Sequence, residues 1–77
     1  MRVVVAAYGD LRRHLLDGAP ERAMTIPSNA TLGDLLVALG AGPDDAILAR
    51  RGTGIVREDD ALADGDQVEL VAPVGGG

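Results

Sequence analysis

Few residues in this chain have side chains able to do chemistry. Ser28 is the sole serine and His14 the sole histidine, so a Ser-His-Asp arrangement would have to use both. Ser28 stands in "PSNAT" and His14 follows Arg12 and Arg13. Both read as ordinary surface positions. The acidic group Asp59, Asp60, Asp64 and Asp66 invites a calcium site. In the register of an EF-hand loop, Asp60, Asp64 and Gly65 would take positions 1, 5 and 6. Position 3 would then fall on Leu62 and position 12 on Val71, and neither side chain offers an oxygen. The motif fails, and these carboxylates read as a solvated turn, with no metal site.

Two absences exclude more. There is no cysteine, hence no disulfide, thiolate metal site or thiol nucleophile. All seven basic residues are arginine, so no lysine is present for a P-loop or a Schiff base. The last nine residues, "ELVAPVGGG", are then the informative ones. Pro73 lacks an N–H, stiffens the exit and stops the strand before it. Without Cβ atoms, Gly75 and Gly76 can thread a channel too narrow for other residues, and Gly77 can bring its backbone close to a reactive centre. Ordering such a tail costs about 1–2 kcal/mol per residue, which a partner's backbone hydrogen bonds must offset. The terminal carboxylate is ionised at neutral pH and is a poor electrophile. To act as a carrier it must be activated by another enzyme, as an acyl-adenylate made from ATP. Val74, beside the glycines, is a candidate for touching that partner.

The elements that would position this tail are short. "RVVVAAY" over 2–8 is rich in β-branched residues and reads as a strand. A Gly/Asp/Pro-marked connection follows, with a helical turn at Leu11–Leu16, and "RAMTIP" over 22–27 is a second strand with Met24 and Ile26 on one face. The two strands are expected to pair. Thr31 is an N-cap with Asp34 three residues on, and Leu32, Leu35, Leu36 and Leu39 form one helical stripe. Gly40 stands at the C-cap, with Pro43 just beyond. "AILARR" is a strand, "GTG" a turn and "IVRED" a short return. After the Asp64-Gly65 turn, "QVELVA" over 67–72 is the last strand. Val68 and Leu70 share one face, while Gln67, Glu69 and Val71 share the other. The order is ββαββ, a mixed α+β sheet packed on one main helix.

At 77 residues this is one domain with a thin aliphatic core, and Tyr8 is its only aromatic residue. The net charge of −5 argues against nucleic acid and against an anionic membrane. No apolar run approaches a membrane span, and "MRVVVAAYGD" is a poor signal peptide, so a cytoplasmic protein is expected.

On these residues the chain resembles the ubiquitin-like sulfur carriers of the MoaD/ThiS family. Leu62, Asp64, Gly65, Asp66 and Val68 match its L-x-D-G-D-x-V pattern, and Pro73, Val74, Gly76 and Gly77 match P-V-x-G-G. "YGDLRRHL" is similar to the F-A-x-L-R stretch of the molybdopterin-synthase branch, with Tyr8, Leu11 and Arg12 matching and Gly9 in place of Ala. The resemblance implies a β-grasp domain over 1–74 and a flexible tail over 75–77. It implies that Gly77 becomes a thiocarboxylate, with no cofactor bound by the chain and no active site of its own. Its partners would be an adenylyltransferase of the ubiquitin-activating type, a sulfurtransferase and an acceptor such as the molybdopterin synthase large subunit. Pro73 and the "LRR" start lean towards the molybdopterin branch over the thiazole (thiamine) carriers. Where the family commonly has V-N-G this chain reads "LARRGTGIV", which implies a longer turn. Val71 is a candidate for the docking face. Two other readings stand beside the carrier. One is a protein modifier joined through Gly77, which could build no chains on its own side chains for want of lysine. The other is an interaction module with an inert tail.

Overall fold

The structure, a computed structural model, describes residues 1–41 and 47–72. Within them the element order is β1 (Arg2–Ala7), α1 (Asp10–Leu16), β2 (Glu21–Thr25), α2 (Leu32–Ala38), β3 (Leu48–Arg51), β4 (Gly54–Val56) and β5 (Gln67–Val71). The strands form one sheet in the order β2-β1-β5-β3-β4. β1 pairs antiparallel with β2 and parallel with β5, and β3 lies antiparallel between β5 and β4. The last strand in sequence is therefore the central strand of the sheet.

Alternation decides which face is covered. Val3, Val5 and Ala7 of β1 and Val68 and Leu70 of β5 are buried, together with Ala49 and Val56. They share one core with Leu32, Leu35 and Leu39 of α2 and with Leu11, Leu15 and Leu16 of α1. Leu36, the fourth member of the expected stripe, is partly buried against that core. Both helices therefore serve the same face. The opposite face, carrying Val4, Ala6, Glu69 and Val71, is left half-covered.

α2 starts and stops as its residues dictate. The Asp34 backbone N–H donates to Thr31 Oγ1 at 3.2 Å, and the Thr31 N–H donates back to Asp34 Oδ2 at 3.0 Å, a complete capping box. The helix ends at Gly40, whose φ of +86° is open to glycine. Its N–H and that of Ala41 close on the carbonyls of Val37 and Leu36 at 3.0 and 2.9 Å. Before the helix can form it also needs a neighbour. The N–H groups of Leu32 and Gly33 donate to Asp60 O and Glu58 O, at 3.0 and 2.8 Å. A Cβ on Gly33 would lie 3.3 Å from that Glu58 oxygen, so the close approach of the loop favours glycine.

Two details depart from the sequence reading. The connection between β1 and β2 holds a seven-residue helix, α1, rather than a single turn. Leu11, Leu15 and Leu16 supply enough buried surface to complete it. The "RRGTG" turn is also tight, not long: Arg51 pairs Gly54, leaving only Gly52 and Thr53 as loop. Gly52, at φ +63°, supplies the positive φ that a two-residue hairpin demands. Pro43 lies outside the described residues. Among the described residues, no helix is long and apolar enough to cross a membrane.

Candidate functional site

The L-x-D-G-D stretch is a structural clasp rather than a reaction centre. Leu62 is buried and its N–H donates to Ala30 O at 2.9 Å, which ties the loop to the entrance of α2. Asp64 Oδ1 accepts the Arg2 backbone N–H at 2.8 Å, and the Gly65 N–H donates to Arg2 O at 2.7 Å. Gly65 does so at φ +86°, where a side chain would be strained. Asp66 Oδ2 accepts the Ala63 N–H at 2.8 Å and the Arg51 guanidinium at 2.7 Å. Three segments thus converge on the start of β5, and β5 enters the sheet in register with β1. Asp60 Oδ2 likewise closes a turn, accepting the Arg57 N–H at 2.8 Å, while Asp59 is exposed. Backbone donors therefore occupy three of the four carboxylates considered for a cation.

The Ala63 N–H holds the Asp66 carboxyl below the usual aspartate range against the burial that pushes it up, and the Arg51 guanidinium adds to the lowering. A depressed folded-state pKa contributes stability that is fully present above the unfolded value, about 3.9. That contribution is lost as the pH falls through the lower folded value. Asp66→Asn should therefore cost about 1–2 kcal/mol at neutral pH. It should also flatten the acid limb of stability against pH. Urea unfolding between pH 7 and 3 checks this, and identical acid limbs in the two proteins would remove Asp66 from the account.

β5 delivers its far end to a shoulder built by three strands. Val71 pairs Leu48 on β3. On the other side Leu70 pairs Ala7, and continuing that register brings Tyr8 level with Val71. By strand parity all three belong to the face turned away from the helices. Val71 is half-buried, while Tyr8 and Leu48 are 48% and 41% exposed. Arg12 fixes one side of the row. Its Nε donates to Ala7 O at 3.2 Å, and its guanidinium carbon lies 6.0 Å from the Tyr8 ring centroid. Two pairs further down, and so on the same face, Arg50 and Glu69 oppose each other across β3 and β5 with a 2.9 Å ion pair. Ile55, beside Arg50 on β4, is also exposed. The row Tyr8–Val71–Leu48 is an apolar band with a cation at its rim, placed where the chain leaves the sheet.

Val71 therefore lies on the half-covered face, which its place in the sheet and not its parity alone decides. Pro73, Val74, Gly75, Gly76 and Gly77 lie outside the described residues. Ser28 is exposed next to the start of α2, and His14 is exposed on α1; the two belong to different elements. Sequence reasoning did not single out Leu48 and Ile55. Their signal is the alternation of Leu48, Ala49 and Arg50, which becomes legible only once β5 is known to lie alongside.

A model described as the ThiS family matches residues 9–77. No curated protein matches the chain by sequence. Among solved structures, the chain is similar to SAMP1, the small archaeal modifier protein 1 of Haloferax volcanii, at 28% identity and a TM-score of 0.79, with 100% of each chain covered. A Pyrococcus furiosus protein assigned as molybdopterin converting factor subunit 1 is 24% identical, at a TM-score of 0.77 over 96% of this chain and 99% of that one. A ubiquitin from Caldiarchaeum subterraneum is 20% identical, at 0.65 over 100% of this chain and 98% of that one. The last two likenesses speak to fold alone: the mixed sheet and its helices are a ubiquitin-like β-grasp.

Proposed function

The chain belongs to the ThiS family, and from that premise we propose that it is a sulfur carrier working through Gly77. The observation that carries this reading is the family match itself, which runs through the glycine end. The geometry supports it. β5 is the central strand, pinned at its start by the Asp64–Asp66 clasp, and it points its far end past an apolar band. A partner that covers Tyr8, Val71 and Leu48 would hold the tail's origin fixed. The five residues after Ala72 can then extend up to about 17 Å into that partner.

In this reading the Gly77 carboxylate attacks the α-phosphate of ATP on an adenylyltransferase, forming an acyl-adenylate and releasing pyrophosphate. A sulfur nucleophile supplied by a sulfurtransferase displaces AMP, leaving a thiocarboxylate. An acceptor enzyme then takes the sulfur. Tyr8, Leu11, Arg12 and Pro73 favour an acceptor of the molybdopterin-synthase type, with this chain as its small subunit, over a thiazole pathway. A second reading, conjugation of Gly77 to protein amines, is favoured by the full-length likeness to small archaeal modifier protein 1.

Co-expression with the adenylyltransferase and sulfurtransferase of the same genome, followed by intact mass, tests both readings. The expected result is a sulfur-for-oxygen gain on Gly77. Adducts on other proteins support the modifier. If neither forms, and deletion of Gly76 and Gly77 leaves sulfur-dependent cofactors intact, the carrier reading is wrong.

A further inference from the structure

The electrophile this function requires would be dangerous to most chains, because an activated glycine acylates any amine it reaches. The sequence contains no lysine and no cysteine, so no side chain offers an amine or a thiol. The hydroxyls of Ser, Thr and Tyr are weak nucleophiles without an adjacent base. An acyl group on the His14 imidazole is itself labile to water and returns the free acid.

One amine is left, at Met1, and the topology keeps it away. Its ammonium donates to Ile26 O at 2.7 Å, and the Ile26 N–H returns a bond to Met1 O at 2.9 Å. The amine thus continues the β1–β2 ladder. Because β1 and β5 run parallel, with Ala7 beside Leu70, the start of β1 and the end of β5 lie at opposite ends of the sheet. Met1 stands six positions before Ala7, and Ala72 stands two positions after Leu70. At the rise of a strand this offset is about 26 Å. The five residues after Ala72 span at most about 17 Å. The tail of one molecule does not reach its own amine.

We infer that this chain is built to be inert to its own activated end, so that Gly77 is passed only to a nucleophile on a different molecule. If Gly77 is joined to a protein amine, the attached unit offers no side-chain amine for a second unit, which leaves its Met1 amine as the one group on which another unit can be built. The inference rests on Gly77 being the group activated, and its test is independent of any activating enzyme.

The full chain is prepared as a C-terminal thioester by intein cleavage, held at mildly alkaline pH, and followed by intact mass. The wild type should show only the thioester and its hydrolysed acid. Arg50→Lys and Ile55→Lys each place an amine on the exposed face near the end of β5, within the tail's span. In these variants the lysine nitrogen attacks the Gly77 carbonyl. A C–N bond forms, the C–S bond breaks, the thiol leaves and the amine proton goes to solvent. The expected readout is a cyclic species lighter than the thioester by one thiol and lighter than the acid by one water. Two lysine positions are used because Glu69 can pair with a lysine at 50 and slow its attack. Cyclic or self-linked wild type overturns the inference. So does failure of both variants to cyclise, since the missing amine would then not be what protects the chain. Refusal by every adenylyltransferase would overturn the carrier reading and leave this result unchanged.

Discussion

One alanine added after Gly77 should leave the fold intact and abolish activation. Among the described residues the sheet pairings run to Val71 and the buried core to Leu70, so the addition lies beyond the contacts described for the domain. Its effect falls on the reacting group. The carboxylate moves by one residue, about 3.5 Å, and gains a Cβ beside it. An attack that needs atoms about 3–3.5 Å apart and aligned does not survive such a shift, since a displacement near 1 Å already costs about 10²-fold. ATP–pyrophosphate exchange should therefore fall by at least about 10²-fold, with an unchanged thermal midpoint. An extended chain that exchanges within tenfold of the wild type would sink the assignment of Gly77. A lowered midpoint would show that the tail contributes to the fold.

Leu70→Ala carries the largest expected effect on stability. Leu70 is fully buried on the central strand, between Ala7 of β1 and Ala49 of β3. Both neighbours are small, so leucine fills the space between the sheet and the helices and nothing beside it can expand into the gap. Truncation should cost about 2–5 kcal/mol. A 77-residue domain has only about 4–12 kcal/mol in total. The variant should be substantially unfolded under mild denaturant, whereas Val71→Ala, one residue on and half-exposed, should cost less than about 1 kcal/mol. Urea midpoints of the two variants decide the matter. Equal losses would mean that the parity of β5 is not what governs its burial. The comparison also links fold to function, because the strand that anchors the core is the one that carries the tail.

Much of this molecule is legible in its residues because the relevant interactions are local. Thr31, Asp34 and Gly40 specify the ends of α2 within a few residues of themselves, and the leucine stripe specifies its inner face. Asp64, Gly65 and Asp66 announce a turn whose side chains and positive φ close on nearby backbone. The alternation of Val68, Glu69, Leu70 and Val71 assigns the two faces of β5 without any neighbour being known. α1 was less legible: its seven residues hold only because the core accepts Leu11, Leu15 and Leu16. Likewise "RRGTG" looks like a loose loop until the pairing of Arg51 with Gly54 shows how little of it is loop.

By itself the sequence determined the chemistry open to this protein. A chain with no cysteine, no lysine, one serine and one histidine leaves little besides the glycine end for covalent work. It also determined the ends of α2, the turn before β5 and the two faces of β5. Only the tertiary structure decided who stands beside whom. Tyr8, Leu48 and Val71 are scattered through the chain, and no local rule relates them. They meet because β5 inserts between β1 and β3, parallel to one and antiparallel to the other. Strand order is set by which pairings bury the common core and repay the closing of long loops. That same parallel pairing separates the amine of Met1 from the glycine end.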